Sequence, residues 1–251
     1  MTTLDKKVAL VTGGARDIGK AVSLKLAAAG AHVAVNYYSN EENGRRVLEE
    51  IQAAGGSAIP VRGDMTKSAD VDDVVGQTLE AFGGGIDILV NNVGGLVARK
   101  TLAEMDLEFF ESIMRLNLTS TFLVTKAVVP HMSAGGSIVN LASQAGRDGG
   151  GPGASAYGTS KGAVMTFTRA MAKELGPSNI RVNCLCPGMI ATTFHDTFTA
   201  DAVRTKVAAG TPLRREGEAR EVADLVAYLA SAESSFITGA SLDINGGLAF
   251  S

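Results

Sequence analysis

Cysteine is scarce in this chain, and its two cysteines do not form a recognisable metal or redox site. Cys184 and Cys186 lie two positions apart in a run with strand character, so their side chains point to one face. This spacing matches neither a zinc site nor a redox dithiol. We therefore expect two buried thiols and no bound metal, and free thiols suit the reducing cytoplasm.

The chain also lacks a large excess of charge of one sign and any long apolar stretch. The formal net charge is −3, with no block of like charge, which argues against nucleic acid or an anionic membrane surface as a partner. No apolar run approaches the ~20 residues that span a bilayer. The first residues lead directly into a strand-like run, so we expect no signal peptide.

Short apolar runs, by contrast, recur along the whole chain and alternate with segments of helical periodicity. Strands are predicted over residues 7–12, 31–36, 57–61, 86–91, 137–141, 180–185 and 241–244. Helices are predicted to begin after the first turn and to cover residues 41–54, 69–82, 107–132, 157–175 and 219–230. This alternation predicts an α/β fold with one parallel sheet covered on both faces. We see no linker or repeat, so a single domain over residues 1–251 is expected.

A glycine-rich turn follows the first strand. Residues 12–19 read Thr-Gly-Gly-Ala-Arg-Asp-Ile-Gly, and a helix and a second strand come next. In such a βαβ unit the turn leaves bare backbone N–H groups at a helix N-terminus, where a pyrophosphate can bind. The turn therefore predicts a dinucleotide site.

Tyr157 and Lys161 stand four positions apart in a predicted helix, which places them on one face. A phenol ordinarily has a pKa near 10, and an ammonium close by lowers the pKa. Such a pair could protonate a developing alkoxide. Taken alone, the spacing more often marks a half-buried tyrosine beside a solvated lysine.

The order of motifs along the chain favours the catalytic interpretation of Tyr157 and Lys161. The chain carries the glycine turn, then Asn91-Asn92-Val93-Gly94, Asn117, Ser143, Tyr157 with Lys161, and Pro187-Gly188. In this order the motifs resemble the short-chain dehydrogenase/reductase family over essentially the whole chain. The resemblance implies a single Rossmann-type, doubly wound parallel sheet. It also implies hydride transfer between NAD(P) and a small-molecule carbonyl or alcohol.

The resemblance assigns four catalytic residues. Tyr157 is implied as the general acid/base, and Lys161 as the residue that lowers its pKa and holds the nicotinamide ribose. Ser143 is implied to donate a hydrogen bond to the substrate oxygen; by itself it could be an ordinary strand-end turn residue. Asn117 would kink its helix around a proton-relay water, or else be a buried amide satisfied by backbone.

The resemblance also implies the cofactor contacts. No acidic residue ends the second strand, and Arg16 and Ser39 could bind an adenosine 2′-phosphate, so NADPH/NADP+ is preferred, with NADH possible. Arg16 could instead be a solvated loop residue. The remaining implied contacts are Gly13, Asp17, Ile18, Gly19, Asp64, Met65, Asn91, Gly94, Tyr157, Lys161, Pro187, Gly188, Ile190 and Thr192.

Asp17 departs from the family pattern, which has glycine at this position. Aspartate tolerates left-handed backbone better than most residues and caps helix N-termini well, although its charge beside a pyrophosphate is unfavourable. We predict that Asp17 points away from the phosphates and caps the helix that starts near Ile18.

The substrate region is less well defined by the sequence. Residues 144–153 are rich in glycine, which indicates either mobility or close packing against a ligand. Arg147 within them could receive a carboxylate or phosphate, or lie on the surface. Residues 189–212 resemble the family's mobile lid and are called the lid below. As substrate, a free small ketone, either sugar-derived or a keto acid, ranks above a 3-oxoacyl-(acyl-carrier-protein) thioester. An acidic carrier protein needs a basic surface to bind, and the turn at residues 132–136 lacks a basic residue.

Two further expectations concern other classes of protein and assembly. A non-catalytic dinucleotide-binding protein is disfavoured, since such a protein has no need of all four catalytic residues. The resemblance implies a homotetramer that buries the helices of residues 107–132 and 157–175 between subunits. Small and apolar positions such as Ala163, Val164, Phe167, Ala170 and Met171 would suit that interface.

Overall fold

The computed structural model describes residues 3–250, and seven strands in this range form one parallel sheet. They are β1 (Val8–Val11), β2 (His32–Tyr37), β3 (Ser57–Arg62), β4 (Ile88–Asn91), β5 (Ser137–Leu141), β6 (Arg181–Pro187) and β9 (Ser241–Ile244). Two further short strands, β7 (Ile190–Ala191) and β8 (Gly217–Glu218), pair with each other in a separate sheet. The order is β3-β2-β1-β4-β5-β6-β9, and every pairing is parallel. The predicted fold class is confirmed.

Helices cover both faces of the sheet. They are α1 (Asp17–Ala28), α2 (Glu41–Ala53), α3 (Ser68–Phe82), α4 (Leu107–Met114), α5 (Ser120–Val128), α6 (Ala145–Asp148), α7 (Ser155–Leu175), α8 (Thr193–Phe198), α9 (Asp201–Gly210) and α10 (Ala219–Ala230). One core packs α1, α2 and α10 on the sheet, and a second packs α3, α5 and α7 on its other face. Burial on both faces explains why the strands read as continuous apolar runs.

The strand order reverses at β1, which pairs with β2 on one side and β4 on the other. In an open parallel sheet such a reversal leaves a crevice at the carboxyl ends of the strands, because the connecting helices diverge to opposite faces. The glycine turn, the Asn92–Gly94 turn and Ser143 all follow strands that end there. The topology therefore brings the predicted site residues to one edge of the sheet.

The helix predicted over residues 107–132 is interrupted. A π-helical turn, Arg115–Thr119, separates α4 from α5, and a 3-10 turn containing Pro130 ends the region. The Asn117 amide donates to the carbonyl of Ile113 at 3.0 Å, one turn back. A side chain that bonds within the helical ladder competes with backbone bonding and widens the turn. A π turn thus lies at Asn117, whose amide is satisfied by backbone groups, as in the second of the two alternatives that the sequence left open.

No helix within residues 3–250 is both long enough and apolar enough to cross a membrane. The same range holds no group of three or more histidine, cysteine or acidic side chains that could bind a metal ion.

Candidate active site

A cleft of about 920 Å³ runs along the carboxyl edge of the sheet. One end is bounded by the glycine turn and the end of β2, including Arg16 and Ser39. The other end is bounded by Ser143, Tyr157 and Lys161, and the lid covers it from above. The two halves of the sequence-based site therefore share one continuous cavity.

The glycine turn has the close packing that a phosphate-binding turn requires. Gly13 has a φ of +59°, which glycine adopts freely. A Cβ atom at Gly19 would lie 2.1 Å from the Gly13 carbonyl oxygen, so only glycine allows α1 to start this near the strand. The first-turn N–H groups of a helix have no partner within it, and Ile18 and Gly19 line the cleft. This turn fits a dinucleotide pyrophosphate.

Two amide side chains to which the sequence analysis gave no role, the buried Asn36 and the partly buried Asn92, hold this turn in place. The Asn36 Oδ1 accepts from the Gly13 N–H at 3.0 Å, and its Nδ2 donates to Val61 and Gly63. Asn92 Nδ2 donates to the carbonyls of Thr12 and Gly13, at 3.1 Å each. Asparagine in apolar strand runs is the signal that could have identified them, since buried amides need partners.

The expectation that Asp17 caps α1 is wrong. Arg16 occupies the N-cap position and no side chain caps the helix there. Asp17 has a φ of +50°, so it adopts the backbone that the family's glycine would supply. Its carboxylate accepts two hydrogen bonds from Thr193 in the lid, at 3.0 and 2.6 Å. Lid contact takes the place of helix capping.

Arg16 is a projecting side chain at the adenosine end of the cleft. Its side chain is 71% exposed, and its Nε lies 3.8 Å from an Asp17 oxygen. Tyr38 and Ser39 line the cleft beside it, and β2 ends at Tyr37 without an acidic residue. The guanidinium is therefore available to an anionic group entering at this end.

Close packing of α6 against α7 shapes the end of the cleft that holds Ser143 and Tyr157. A Cβ at Gly146 in α6 would lie 2.7 Å from the backbone of Lys161 and Gly162, and one at Gly158 would lie 2.8 Å from the carbonyls of Ala145 and Gly149. The glycine-rich stretch thus packs closely against α7. This contact positions Ser143, just before α6, relative to Tyr157.

Burial controls the charge state of the Tyr157–Lys161 pair. Desolvation raises the pKa of Tyr157, and a hydrogen bond with Ser143 opposes that rise. Desolvation lowers the pKa of Lys161 to about 8. Its Nζ donates to the Leu141 carbonyl at 2.6 Å and lies 5.9 Å from the Tyr157 ring centre. The lowering of the tyrosine pKa that the sequence reasoning expects is therefore not found in this arrangement; the shift has the opposite sign.

Asn117 lies fully buried behind the cleft. Its Oδ1 accepts from the Gly95 N–H at 2.9 Å, and its Nδ2 donates to the Gly95 carbonyl at 2.9 Å. A Cβ at Gly94 would lie 2.5 Å from Asn117 Oδ1 and 2.8 Å from Lys161 Nζ. Asn117 therefore connects the turn after β4 to the last turn of α4 through bonds to backbone groups of Gly95 and Ile113.

Three predicted cofactor contacts do not line the cleft. Asp64 accepts from the N–H and hydroxyl of Thr66, Met65 is 2% exposed, and Asn91 donates to Thr125 and Asn140 in the interior. The predicted positions that do line it are Gly13, Arg16, Asp17, Ile18, Gly19, Ser39, Gly94, Ser143, Tyr157, Lys161, Pro187, Gly188, Ile190 and Thr192.

The lid is more regular than expected and covers Tyr157 with aromatic residues. The Phe194 ring centre lies 5.8 Å from that of Tyr157 and 5.2 Å from that of Phe198. Arg147 is not free to receive an anion, because its guanidinium is bonded to Asp243 at 2.6 Å. The substrate end is therefore walled mainly by uncharged groups.

Comparison with known proteins identifies the family. A family model described as Enoyl-(Acyl carrier protein) reductase matches residues 13–249. A 3-oxoacyl-(acyl-carrier-protein) reductase of Synechocystis sp. is 40% identical over 252 residues, covering 99% of this chain and 99% of that protein. The chain belongs to the short-chain dehydrogenase/reductase family. It is accordingly an NAD(P)-dependent oxidoreductase with a Rossmann-type fold.

Solved structures of this family superpose on the chain over nearly its whole length. A blue fluorescent protein from a metagenomic library, in complex with NADPH, has a TM-score of 0.91 and 36% identity, covering 99% of this chain and 100% of that one. The NADH-dependent reductase A1-R′, responsible for alginate metabolism, has a TM-score of 0.90 and 33% identity, covering 99% of each chain. One of these structures contains NADPH and the other is of an NADH-dependent reductase, so family membership leaves the choice of cofactor open.

Proposed function

We propose that this protein is an NADPH-preferring reductase of an uncharged ketone, working reversibly on the matching secondary alcohol, as one catalytic domain in the cytoplasm. The single observation that carries the proposal is the continuous cleft joining Arg16 to Ser143 and Tyr157. The free thiols of Cys184 and Cys186, both buried, suit a reducing compartment.

Each residue has a role in the proposed reaction. The bound dinucleotide would supply the hydride. The Ser143 hydroxyl donates to the ketone oxygen and holds it beside Tyr157. The Tyr157 hydroxyl gives its proton to the oxygen as negative charge develops there. Lys161 would hold the ribose hydroxyls of the dinucleotide, and Asn117 fixes the Gly94–Gly95 turn through its bonds to Gly95.

The substrate class follows from the charges around Tyr157. Arg99 donates to the carbonyls of Phe198 and Pro152, and Arg147 is paired with Asp243. Arg147 is therefore neutralised by a carboxylate, whereas Arg99 lines the cleft with N–H donors still unused within residues 3–250. Phe194 and Phe198 offer apolar surface beside Tyr157, and this surface favours an uncharged ketone with apolar substituents.

A second candidate is reduction of 3-oxoacyl thioesters on an acyl carrier protein. The 40% identity to the Synechocystis 3-oxoacyl-(acyl-carrier-protein) reductase favours it. The turn before β5 carries no basic residue, and an acidic carrier would need one nearby. We therefore rank this activity second.

The test is oxidation of NADPH and of NADH by the purified protein with uncharged ketones, keto acids and a 3-oxoacyl thioester. Turnover of an uncharged ketone with NADPH is expected, with kcat reduced about 10³-fold in Tyr157→Phe. Arg16→Ala should weaken NADPH binding about tenfold and leave NADH binding unchanged. Turnover of the thioester alone would replace the proposal with the second candidate, and equal binding of NADH and NADPH would refute the role of Arg16.

A further inference from the structure

Asp17 connects two parts of the site that are remote in sequence. The Thr193 N–H donates to Oδ1 of Asp17 at 3.0 Å, and the Thr193 hydroxyl donates to Oδ2 at 2.6 Å. The two residues are 176 positions apart. Both carboxylate oxygens are therefore engaged by a single residue of the lid, and we call this pair of bonds the clasp.

The backbone of Asp17 makes the clasp possible without altering the turn. Its φ of +50° lies in the left-handed region, which aspartate enters more readily than most residues. Glycine would enter it more freely, but glycine has no side chain that could reach the lid. An aspartate at this position thus keeps the turn and adds an acceptor for Thr193.

The clasp holds α8, the part of the lid that carries Phe194 and Phe198. Thr193 is the first residue of α8, and the next residue, Phe194, lies over Tyr157. The last residue of α8, Phe198, accepts from Arg99 Nε at 3.1 Å through its carbonyl. The helix is therefore fastened at both ends, by the cofactor turn and by the loop after β4.

We infer that Asp17 is a positioning residue, which fastens the lid to the glycine turn and holds Phe194 against Tyr157. Its carboxylate acts on the lid rather than on a bound phosphate. The lid is consequently ordered over the substrate end before any substrate enters. The part of this inference that concerns ketone turnover rests on the proposed function, whereas the part that concerns lid order does not.

Hydrogen–deuterium exchange of the amides of residues 192–199 tests lid order directly, in the full chain without ligand. Asp17→Gly should speed exchange about tenfold, because hydrogen bonds to a charged acceptor are lost. Thr193→Val keeps the N–H bond and should speed exchange about threefold. Asp17→Asn should restore near-wild-type exchange, since its amide can accept from the N–H and donate to the hydroxyl.

Thr205→Val is the matched control, because Thr205 is an exposed residue of α9 in the same lid; its exchange should equal wild type. If neither Asp17→Gly nor Thr193→Val changes exchange, the inference is wrong. It is also wrong if Asp17→Asn exchanges as fast as Asp17→Gly.

Steady-state kinetics separate positioning from phosphate binding. Asp17→Gly should raise the ketone KM about fivefold with a smaller change in kcat, since lost lid order weakens substrate binding before chemistry, and Asp17→Asn should reverse this. NADPH affinity, followed by the cofactor's own fluorescence, should change less than threefold. A tenfold gain in NADPH affinity with unchanged lid exchange would show that Asp17 acts on the phosphates. Exchange needs no turnover, so an inactive protein with a protected lid would refute the proposed function alone.

Discussion

Tyr157 and Lys161 show how burial rather than proximity sets a charge state. The family resemblance treats the lysine as the group that lowers the tyrosine pKa. In the structure Lys161 is buried and Tyr157 is partly buried at the cleft, and desolvation disfavours the charged form of each. The pKa of Tyr157 therefore rises, while that of Lys161 falls to about 8. A protonated phenol at neutral pH is the form that donates a proton, which suits ketone reduction.

The lowered pKa of Lys161 predicts an alkaline limit to activity. Below pH 8 the amine is charged, and as pH rises through about 8 it becomes neutral. Because kcat/KM for NADPH reports the groups of the free enzyme, this parameter should fall with an apparent pKa near 8 in ketone reduction.

Two variants check that assignment. Lys161→Met should have a low kcat/KM for NADPH, and this parameter should not fall near pH 8, because the group that titrates there has been removed. Lys173→Met, at an exposed position of the same helix, should keep the wild-type profile. A wild-type profile that stays flat up to pH 10 would contradict the role of Lys161.

The contact between α6 and α7 is decided at the scale of whole elements. Glycines at positions 146, 158 and 162 let the backbones of the two helices approach closely. This explains the glycine at position 146, whereas Gly149, Gly150 and Gly153 adopt positive φ values that favour glycine. The packing found here is between α6 and α7, whereas the sequence suggested mobility or close packing against a ligand.

Gly146→Ala should therefore separate α6 from α7. Its Cβ would lie 2.7 Å from backbone atoms that cannot rotate away, so we expect a loss of about 1–3 kcal/mol in the free energy of unfolding. Since Ser143 would shift relative to Tyr157, kcat should fall at least about tenfold. Urea unfolding and ketone kinetics measure the two effects.

Gly76→Ala is the control for Gly146→Ala, because it makes the same substitution where there is room for the added methyl group. Gly76 lies inside α3, and a Cβ there meets nothing within 4 Å. Alanine should raise stability by about 0.5–1 kcal/mol, because it restricts the unfolded chain more than glycine does. Equal gains from Gly146→Ala and Gly76→Ala would show that the α6–α7 contact is looser than the structure indicates.

At the scale of the molecule, the outer face of α5 and α7 is the candidate assembly surface. Phe122 is 43% exposed and contacts Phe167 edge-on, with ring centres 6.4 Å apart. Val164, which the sequence reasoning placed in an interface, is 1% exposed and packs in the core. Ala170 remains exposed. The apolar face that could meet another subunit is therefore narrower than the sequence pattern suggested.

We predict that the protein sediments as a tetramer of the 25.8 kDa chain and that Phe122→Glu lowers its mass. A charge buried in an apolar interface without a partner is strongly unfavourable. Val203→Glu, on the exposed side of α9, should leave the mass unchanged. Sedimentation velocity measures both variants, and a monomeric wild type would refute the prediction.

Local patterns in the sequence determined most of the fold. The strands predicted at residues 137–141 and 241–244 and the helix at residues 219–230 have the bounds found in the structure. Apolar runs, glycine turns and helical periodicity act over a few residues, and a parallel sheet needs only their alternation. The family resemblance, carried by the order of short motifs, is confirmed for the same reason.

Tertiary structure alone decided how the site residues are used. Asp17 bonds to a lid residue 176 positions away, Asp64 and Asn91 turn to partners outside the cleft, and Arg147 is paired with Asp243. The pKa directions of Tyr157 and Lys161 also depend on burial by distant elements. The sequence therefore determined which residues meet at the edge of the sheet. Their partners and charge states depend on desolvation and on contacts between segments far apart in the chain.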